Sequence, residues 1–452
     1  MVRRFLCRVV PLVCLAVLSR PLPAAEPAAA ERGRRALLER NFNALIWSAR
    51  AYDNAWRQWR GRTNEKPEPY AQVFMERYGL HPAPFQSDYP MGIRQAPGLL
   101  LNGLTTDCLL CHGGSIAGQS YVGLGNSSLD IQALYSELAA ADGRSPQTPF
   151  IFSNVRGTSE AGAMAVYLIG LRDSDLNLRT PRVNLGLRDD LCEDVPAWWL
   201  LKKKKSMYYT GSSDARSVRS IMQFMMNPLN SAATIKQEEA TFADIQAYIL
   251  SLQPPRYPFP IDRAVAEKGE AIFVDTCARC HGTYGENWTY PNKIVPIDEI
   301  GTDRARFEGL SAESGRHYNK SWFAREHTGW LTDDSPARAT AGYQAPPLDG
   351  IWATAPYFHN GSVPTLQDVL NSRARPKVYT RSYHTDAGSY DPVKVGWKVQ
   401  TMERGPGPKT PALERRKVYD TTLPGRGNGG HTFGDDLSED ERHAVIEYLK
   451  TL

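Results

Sequence analysis

The chain has 452 residues, with 53 lysines and arginines against 49 aspartates and glutamates, and a formal net charge of +4. Four of the arginines lie in the first 25 residues, which contain no acidic residue, so 53 minus 4 leaves 49 basic against 49 acidic side chains in the rest. This balance gives no support to a nucleic-acid partner, and the length allows two or more domains.

The first 25 residues have the pattern of a secretory signal peptide. Arg3 and Arg4 precede an apolar stretch, and the segment closes on Ala24 and Ala25. This order is typical of a cleaved signal. The alternative is an uncleaved membrane anchor, but the apolar run is short for a membrane span. We therefore expect a periplasmic or secreted protein without a stable membrane anchor.

Residues 31–59 predict an amphipathic helix that precedes the first motif described below. Apolar side chains recur at spacings of three and four, which is the helical period. They are Leu38, Phe42, Leu45, Ile46, Ala49, Tyr52, Trp56 and Trp59.

Two copies of the pentapeptide Cys-x-x-Cys-His dominate the sequence, at residues 108–112 and 277–281. Two thiols at this spacing can each bind one vinyl group of a haem and leave the adjacent imidazole beneath the iron. The alternative, a four-cysteine zinc site, leaves both histidines unexplained. The sequence therefore predicts two covalently bound c-type haems. Their predicted attachment residues and proximal ligands are Cys108, Cys111, His112, Cys277, Cys280 and His281.

Cys192 remains as a single cysteine once the signal peptide and the two motifs are accounted for. A lone cysteine has no partner for an internal disulfide, so we expect a buried structural thiol.

Helix signals divide the chain into two similar halves. A capping box at residues 241–244 predicts a helix to residue 252, which Pro254 and Pro255 end. A second helix starts near Asp262, and a capping box at residues 438–441 predicts a last helix that reaches the end of the chain.

The expected fold is mainly α, with two tandem cytochrome c domains and long loops. The N-terminal domain, with its leading helix, covers residues 26–258, and the C-terminal domain covers residues 259–452. Residues 115–128 and 405–430 are rich in Gly, Pro, Asn and Ser, which predicts loops.

One segment carries a family resemblance. Ala345-Pro-Pro-Leu-Asp-Gly-Ile-Trp-Ala-Thr-Ala-Pro-Tyr-Phe-His-Asn-Gly-Ser-Val-Pro-Thr-Leu366 resembles the signature of the bacterial di-haem cytochrome c peroxidase superfamily. That group includes the methylamine-dehydrogenase maturation enzyme and the haem-containing rubber oxygenases. The segment Gly427-Asn-Gly-Gly-His-Thr-Phe-Gly-Asp-Asp-Leu-Ser438 is similar to the rubber-oxygenase branch in particular. The chain is shorter than those oxygenases, so the resemblance favours the branch over the exact activity.

The resemblance implies that the second haem iron has two protein ligands. In that branch a histidine from a glycine-rich segment near the C-terminus is the distal ligand, and His431 occupies this place. The alternative for His431 is a surface loop histidine, with Met402 as the reserve ligand. A His/His pair suits electron transfer. His359 matches a position that lines the second haem without binding its iron.

The resemblance also implies a calcium ion between the haems as a further candidate cofactor. Thr354 and Pro356 match the residues whose carbonyls bind it in the peroxidases, and Asn126 is the candidate side-chain ligand.

The first haem is the expected site of chemistry, because no histidine follows His112 until the second motif. In the rubber-oxygenase branch, aromatic residues at a similar spacing crowd the open haem. This resemblance makes Tyr208, Tyr209 and Phe224 the candidate pocket residues, with Gln223 as a hydrogen-bond donor. The alternative is a methionine ligand or, more simply, a methionine core. The methionines concerned are Met164, Met207, Met222, Met225 and Met226.

One departure concerns the glutamate that peroxidases of this superfamily carry shortly after an Asn-Pro pair. Here Asn230 or its neighbour Leu229 follows Asn227-Pro228 at that place. Asparagine cannot act as a general acid or base, so we expect slow turnover of hydrogen peroxide.

Three classes of function follow from the sequence. The leading hypothesis is an oxidoreductase with peroxidase- or oxygenase-like chemistry at the first haem and electron transfer through the second. The alternatives are a pure electron carrier and a sensor that binds a small gas. The expected partners are a redox protein, or a small-molecule oxidant or organic substrate. The lysine run at residues 202–205 is either a solvated surface or a docking site for an acidic redox partner.

Overall fold

The computed structural model describes residues 28–59, 65–98, 102–325 and 340–452. The proposed signal peptide, residues 1–25, lies outside this range. The structure is 38% helical and 12% strand, which confirms the prediction of a mainly α fold. Within the described ranges, no helix is both long enough and apolar enough to cross a membrane.

In the described part of the chain, the helices in chain order are α1 (Ala29–Glu39), α2 (Ala49–Asn54), α3 (Tyr70–Tyr78), α4 (Leu109–His112), α5 (Ile131–Ala141), α6 (Ala161–Gly170), α7 (Val218–Ile221), α8 (Ala232–Lys236), α9 (Glu239–Ser251), α10 (Arg263–Thr276), α11 (Ala278–His281), α12 (Ile297–Ile300), α13 (Ala305–Glu308), α14 (Ala312–Asn319), α15 (Leu366–Leu370), α16 (Ala412–Arg416) and α17 (Glu439–Leu449). Short 3₁₀ turns, such as Trp198–Lys202 and Ile351–Ala353, connect several of them.

The described strands are short and form small antiparallel sheets. They are β1 (Trp47–Ser48), β2 (Ile93–Ala96), β3 (Gly103–Thr106), β4 (Gly113–Ile116), β5 (Gln119–Val122), β6 (Ser206–Met207), β7 (Ser213–Asp214), β8 (Ile294–Pro296), β9 (Gly342–Gln344), β10 (Val378–Thr380), β11 (Tyr390–Asp391), β12 (Gly396–Trp397), β13 (Gln400–Thr401) and β14 (Val418–Asp420). Two three-stranded sheets have the orders β1-β3-β2 and β13-β10-β14, and the other strands pair as hairpins or two-stranded ribbons.

Two pairs of crossed helices repeat one packing arrangement. In the first half α1 packs against α9, and in the second half α10 packs against α17. Gly33 allows the first contact, because a Cβ there would lie 1.9 Å from the carbonyl oxygen of Asp244. Gly269 has the same role in the second pair, where a Cβ would lie 1.8 Å from the carbonyl oxygen of Ala444. In each half, a helix before the haem motif therefore touches the closing helix backbone to backbone.

The caps of the second pair confirm two predicted helix starts. The Asp262 side chain accepts a hydrogen bond from the backbone N–H of Val265. Ser438 and Glu441 form the complete reciprocal capping box that opens α17. In contrast, α9 begins at Glu239, two residues before the capping box predicted from the sequence.

The single helix expected over residues 31–59 is wrong. α1 ends at Glu39, and the chain then bends through an extended segment before α2. The bend is stabilised by Asn41, whose side chain accepts from the Asn43 N–H at 3.1 Å and donates to the Asn43 carbonyl at 2.7 Å. Asparagine side chains that bond to nearby backbone in this way compete with helix formation.

Three large buried clusters, with two small ones beside them, divide the described interior. One lies under α1 and α9 and contacts Cys108. A second is rich in aromatic rings, is built largely from the chain between α1 and the first motif, and contacts Cys111. The third lies between α10, α17 and the signature segment, and contacts Cys277. The first motif therefore lies between two cores, while the second motif belongs to its own helix pair.

The two halves of the chain also pack on each other. Trp322 and Phe323 from the second half are buried in the core under α1 and α9. An ion pair of 2.9 Å joins Arg416 to Asp130, whose carboxylate is fully buried.

The two predicted loops contain regular structure. Residues 115–128 include part of the β4–β5 hairpin, and residues 405–430 include α16 and β14.

Candidate haem sites

The second Cys-x-x-Cys-His motif forms the short helix α11 directly after α10. His281 Nδ1 lies 2.8 Å from the Pro346 carbonyl oxygen. Since a carbonyl can only accept, Nδ1 carries the proton and Nε2 is left as the metal-binding nitrogen. Burial lowers the pKa of His281, which favours the neutral imidazole that binds a metal. The Cys277 and Cys280 thiols are not in a disulfide.

His431 lies beside His281, although 150 positions separate them in the sequence. Gly430 has a φ of +72°, and the His431 N–H then donates to the Ile300 carbonyl at 2.7 Å. Arg375 donates to the carbonyls of Gly430 and His431 at 2.7 and 3.2 Å. These contacts hold the turn that presents the imidazole.

The spacing of the two imidazoles fits a shared metal. The ring centroids of His281 and His431 are 6.2 Å apart. Metal–imidazole bonds of about 2.0–2.1 Å place two rings on opposite sides of one ion at about 6 Å between centroids. Burial, with the electrostatic influence of the neighbouring His281 ring and of the Arg375 charge, lowers the pKa of His431 to about 3, so its ring is neutral near pH 7. The residues of this site therefore fit a haem iron with two histidine ligands.

The cavity around these rings has mainly apolar walls, which suits a porphyrin. Its walls include Phe273, Val295, Leu348, Leu366, Val369, Leu370, Val445 and Leu449. It also brings together most of the residues proposed from the sequence for the second haem, namely Cys277, Cys280, His281, Thr354, Pro356, His359 and His431. Met402 is not among these lining residues and is 40% exposed, so the reserve ligand lies on the surface.

His359 lines the same cavity beside the two facing histidines. Its ring stacks on Tyr343 at 4.2 Å, and Phe358 is the neighbouring residue that packs against His431, at 5.8 Å. His359 Nε2 is buried and has no hydrogen-bond partner within the described residues. Burial, with the charge of Arg306, lowers the pKa of His359 to about 3.

The four residues proposed for the first-haem pocket are divided between two places. Tyr208 and Tyr209 line the cavity of the second motif. Gln223 donates to the Tyr208 hydroxyl at 3.2 Å, so it contacts the same region. Phe224 instead packs against Phe242 at 5.8 Å, in the cluster that contacts Cys108. The assignment of both tyrosines to the first pocket is therefore corrected, because the chain after Trp199 passes to the second cavity.

The first motif is anchored from its N-terminal side. The Asp107 carboxylate accepts from the Leu109 N–H at 2.8 Å and pairs with Arg94 at 2.5 Å. Arg94 in turn donates to the carbonyls of Leu37 and Leu38 at the end of α1. This buried pair ties the first helix to the haem motif.

His112 is half-buried and stacks on Trp198, with ring centroids 4.7 Å apart and an angle of 24° between the rings. Burial lowers its pKa to about 4, and the nearby Pro196 carbonyl opposes that shift. Both motif histidines thus lie beside a proline carbonyl, Pro196 in one half and Pro346 in the other.

Two further histidines, His81 and His317, form side-chain hydrogen bonds to the first half of the chain within the described residues. His317, from the second half, has its Nε2 3.2 Å from the carbonyl oxygens of Ile169 and Arg172. His81, the only histidine of residues 26–258 besides His112, is bound through Nε2 to the Asn126 oxygen at 3.0 Å. His81 and His317 both have Nε2 at a protein oxygen, so neither presents that nitrogen to a haem that His112 would hold.

Four methionines are buried in the cluster that contacts Cys108, namely Met91, Met222, Met225 and Met226. Met91 lies next to the motif, with its Cγ 2.7 Å from a Cβ built on Gly113, the residue after His112.

Asn126 does not fit a calcium ligand. Its side-chain oxygen already accepts from His81 and from the Ser128 N–H, and its amide group donates to the Gly79 and Leu110 carbonyls. A calcium ion requires free oxygen ligands, and this amide has none left.

Arg381 adds a fixed positive charge to the same region. Its guanidinium donates to the Ser127 carbonyl and packs over the Trp397 ring at 4.4 Å. Trp397 in turn donates to the Ala355 carbonyl at 2.8 Å. The guanidinium thus lies between the two segments proposed to bind calcium.

Asn230 has a structural role where the peroxidases carry a glutamate. It is 4% exposed, and its amide group donates to the carbonyls of Phe42 and Met225 and to the Asn43 side chain. Its oxygen accepts from the Ala44 N–H at 3.1 Å. The Asn230 side chain therefore links the segment after α1 to the 3₁₀ turn Met222–Met226 through hydrogen bonds.

The two glutamates that follow are held by arginines. Glu238 pairs with Arg40 at 2.8 Å, and Glu239 pairs with Arg219 at 2.7 Å.

The lysine run does not form a uniform basic surface. Lys203 pairs with Asp349 at 2.8 Å and lies over the rings of Tyr284 and Trp288. Lys204 is buried, with 8% of its surface exposed. Only Lys202 and Lys205 are exposed, which removes half of the charge on which a docking site would rely.

Cys192 is a buried thiol with 1% exposure, close to the hydroxyls of Thr158 and Tyr419. Burial raises its pKa to about 12, so it is an unreactive thiol as expected.

Comparisons with known proteins support a cytochrome relationship. Residues 342–380, which include the whole signature segment, match the family described as RoxA-like, cytochrome c-like. The match supports a relationship to the di-haem cytochrome c peroxidase-like superfamily and to haem-binding oxidoreductases. It covers a small part of the chain and does not select a branch.

Two curated relatives come from Sinorhizobium fredii (strain NBRC 101917 / NGR234). The uncharacterized protein y4iJ is 30% identical over 262 residues, which is 44% of this chain and 41% of y4iJ. The uncharacterized protein y4iM is 29% identical over 297 residues, which is 57% of this chain and 64% of y4iM. The chain thus spans less than two thirds of the length of either relative.

Among solved structures, the chain is similar to a MauG-like protein associated with microbial copper homeostasis. The identity is 16%, the TM-score is 0.30, and the match covers 68% of this chain and 94% of that one. A similarity at this level does not by itself establish a shared fold.

Proposed function

We propose that the protein is a periplasmic di-haem c-type cytochrome with peroxidase- or oxygenase-like chemistry at its first haem and electron transfer through its second. Within the peroxidase-like superfamily, we place it nearest the haem-containing rubber oxygenases, because of residues 427–438 and the matched family. The crossed pairs α1–α9 and α10–α17 support two tandem cytochrome units, since the core under each pair contacts one cysteine of a haem motif, Cys108 in the first half and Cys277 in the second.

The pairing of His281 with His431 is the main observation behind the proposed division of roles between the two haems. Both imidazoles are largely shielded from solvent, neutral and 6.2 Å apart, so together they would hold a haem iron placed between them. A haem bound there supplies one-electron redox chemistry, with a potential set by its axial ligands and surroundings. The protein's own contribution is to exclude other ligands and to fix both rings through the Pro346, Ile300 and Arg375 contacts.

The first site is proposed as the place where a small ligand binds. His112 holds one side, and the buried surface beside Cys108 is apolar and includes Phe224. An apolar surface of this kind excludes water from a bound oxidant. Asn230 is committed to backbone contacts, and Glu238 and Glu239 to arginines, so none of the three is a free proton donor. We infer slow peroxide turnover from this arrangement.

Spectra of the oxidised protein test the proposal. We expect one low-spin haem with two histidine ligands and one high-spin haem in the same chain. His431→Ala should convert the low-spin signal to an open or exchanged ligand state, because it removes one axial imidazole. His359→Ala is the matched control, since it removes a buried histidine of the same cavity, and it should keep the low-spin signal. An unchanged low-spin signal in His431→Ala refutes the assignment.

A pure electron carrier is the second candidate. The observation in its favour is the buried group Met222, Met225 and Met226 beside the first motif, because a methionine thioether is a common second ligand in carriers. The carrier would be supported if the oxidised protein contained two low-spin haems. Replacement of Met222, Met225 or Met226 should then remove one of the two low-spin signals.

A further inference from the structure

Lys204 is a buried cation on the wall of the second-haem cavity. It follows the 3₁₀ turn Trp198–Lys202, and its backbone N–H is bonded to the Leu201 carbonyl at 3.2 Å. Only 8% of the residue is exposed, and it lines the space that also contains Cys277, His281 and His431. A buried ammonium is costly unless an acceptor or an opposite charge lies next to it.

The described residues provide no carboxylate within ion-pair distance of Lys204. The two acidic side chains that line the cavity have other partners. Asp349 is paired with Lys203 at 2.8 Å, and Asp194 accepts from the Tyr209 hydroxyl at 3.3 Å. Burial alone lowers the pKa of Lys204 to about 8, and no anion among the described residues offsets this effect. A positive charge without a protein partner therefore borders a cavity that fits a cofactor.

A haem supplies the missing charge, because it carries two propionate carboxylates. Each carboxylate loses hydration when the porphyrin enters an apolar cavity, and a buried carboxylate needs a cation or hydrogen-bond donors. Arg279, the other basic residue of this wall, lies over the Phe433 ring at 5.6 Å. Lys204 is thus the lysine of this wall that is both buried and without an aromatic or acidic partner among the described residues.

We propose that the Lys204 ammonium binds a propionate of the haem attached at Cys277 and Cys280, an inference that rests on the proposed function. The ion pair compensates one negative charge close to the iron. Removal of the ammonium leaves that charge uncompensated, which favours the oxidised iron and lowers the reduction potential of the second haem. Lys204 in this role is a positioning and potential-setting residue, and it does not contact the reacting atoms of the first site.

The test uses the full chain loaded with both haems. The midpoint potential of the low-spin haem is measured by a redox titration followed by absorbance, in Lys204→Met and in Lys202→Met. Both variants remove one lysine charge from the same run, but Lys202 is exposed. We expect a clear fall in potential in Lys204→Met, almost none in Lys202→Met, and recovery in Lys204→Arg. Equal potentials in the two methionine variants would overturn the proposal.

A second readout does not depend on the stability of the methionine variant. Propionate bending bands in the resonance Raman spectrum should shift in Lys204→Gln, which keeps a polar side chain in the cavity, and stay in place in Lys202→Gln. Unchanged bands contradict the ion pair. A wild-type mass that lacks the haem at Cys277 and Cys280 refutes the proposed function instead, so the two failures are distinguishable.

Discussion

The helix crossings provide a quantitative test of the fold. Gly269→Ala places a Cβ 1.8 Å from the Ala444 carbonyl oxygen, whereas contacts under 3.0 Å are essentially never found. The backbones of α10 and α17 must therefore separate by more than 1 Å at this point. Gly33→Ala requires a similar separation of α1 and α9, where the distance is 1.9 Å.

The magnitude follows from two opposing effects. Overpacking against a rigid backbone costs about 1–3 kcal/mol, and here we expect the upper end because no side chain can rotate away. Replacement of glycine by alanine inside a helix returns about 1 kcal/mol. The net loss is about 2 kcal/mol, or a fall in Tm of about 4–8 °C for a unit of this size.

Gly315→Ala is the matched control for this test. Gly315 also lies inside a helix, α14, but a Cβ there meets no atom within 4 Å. We expect it to stabilise the protein by about 1 kcal/mol or less, since only the helix propensity changes. Thermal unfolding of the three variants, followed by circular dichroism, checks the prediction. If Gly269→Ala or Gly33→Ala melts like Gly315→Ala, the corresponding close crossing does not exist.

Three further predictions concern the cofactors. Replacing Cys108 and Cys111 together by alanine should remove the mass of one haem from the exported protein, and replacing Cys277 and Cys280 should remove the other; a wild-type chain without added haem mass contradicts both. Carbon monoxide should bind one reduced haem per chain, because His431 closes the other, and Phe224→Ala should change that affinity; a stoichiometry of two or of zero by absorbance titration contradicts the division of roles. A calcium chelator should leave the Tm and the haem spectrum unchanged, because the Asn126 oxygen is occupied and the Arg381 charge lies in that region; retained calcium in elemental analysis, with a fall in Tm on chelation, would show that this reasoning is wrong.

The sequence was most informative where chemistry and local geometry coincide. The Asp262 and Ser438 caps define their helices through contacts within four residues, so a local pattern is enough to predict them. The proximity of His431 to His281 could be inferred only through the family resemblance, because no local rule links residues so far apart. The structure adds the contacts of Ile300 and Arg375 that hold the His431 turn.

Other features depended on tertiary packing that no local pattern encodes. The apolar period of residues 31–59 continues past Glu39, but Phe42 packs under α9 while Trp47 and Trp59 enter the aromatic cluster. One helix cannot serve both cores, and the chain bends at Asn41. Tyr208 and Tyr209 precede the second motif in sequence yet line its cavity, since the chain crosses between the halves after Trp199. In the sequence, Lys204 cannot be distinguished from the other lysines of the run 202–205. The structure distinguishes it because its side chain is buried.

The late position of α17, after both haem motifs, has a consequence for biosynthesis. This helix packs on α10, its residues Val445 and Leu449 belong to the core that contacts Cys277, and the His431 turn lies only eight residues before α17 begins. A nascent chain presents the second motif about 170 residues before the segment that covers it is made. Haem attachment at Cys277 and Cys280, as proposed above, would therefore have an open period during synthesis, which ends when α17 docks on α10. A chain in which α17 docked before attachment would bury the unreacted thiols.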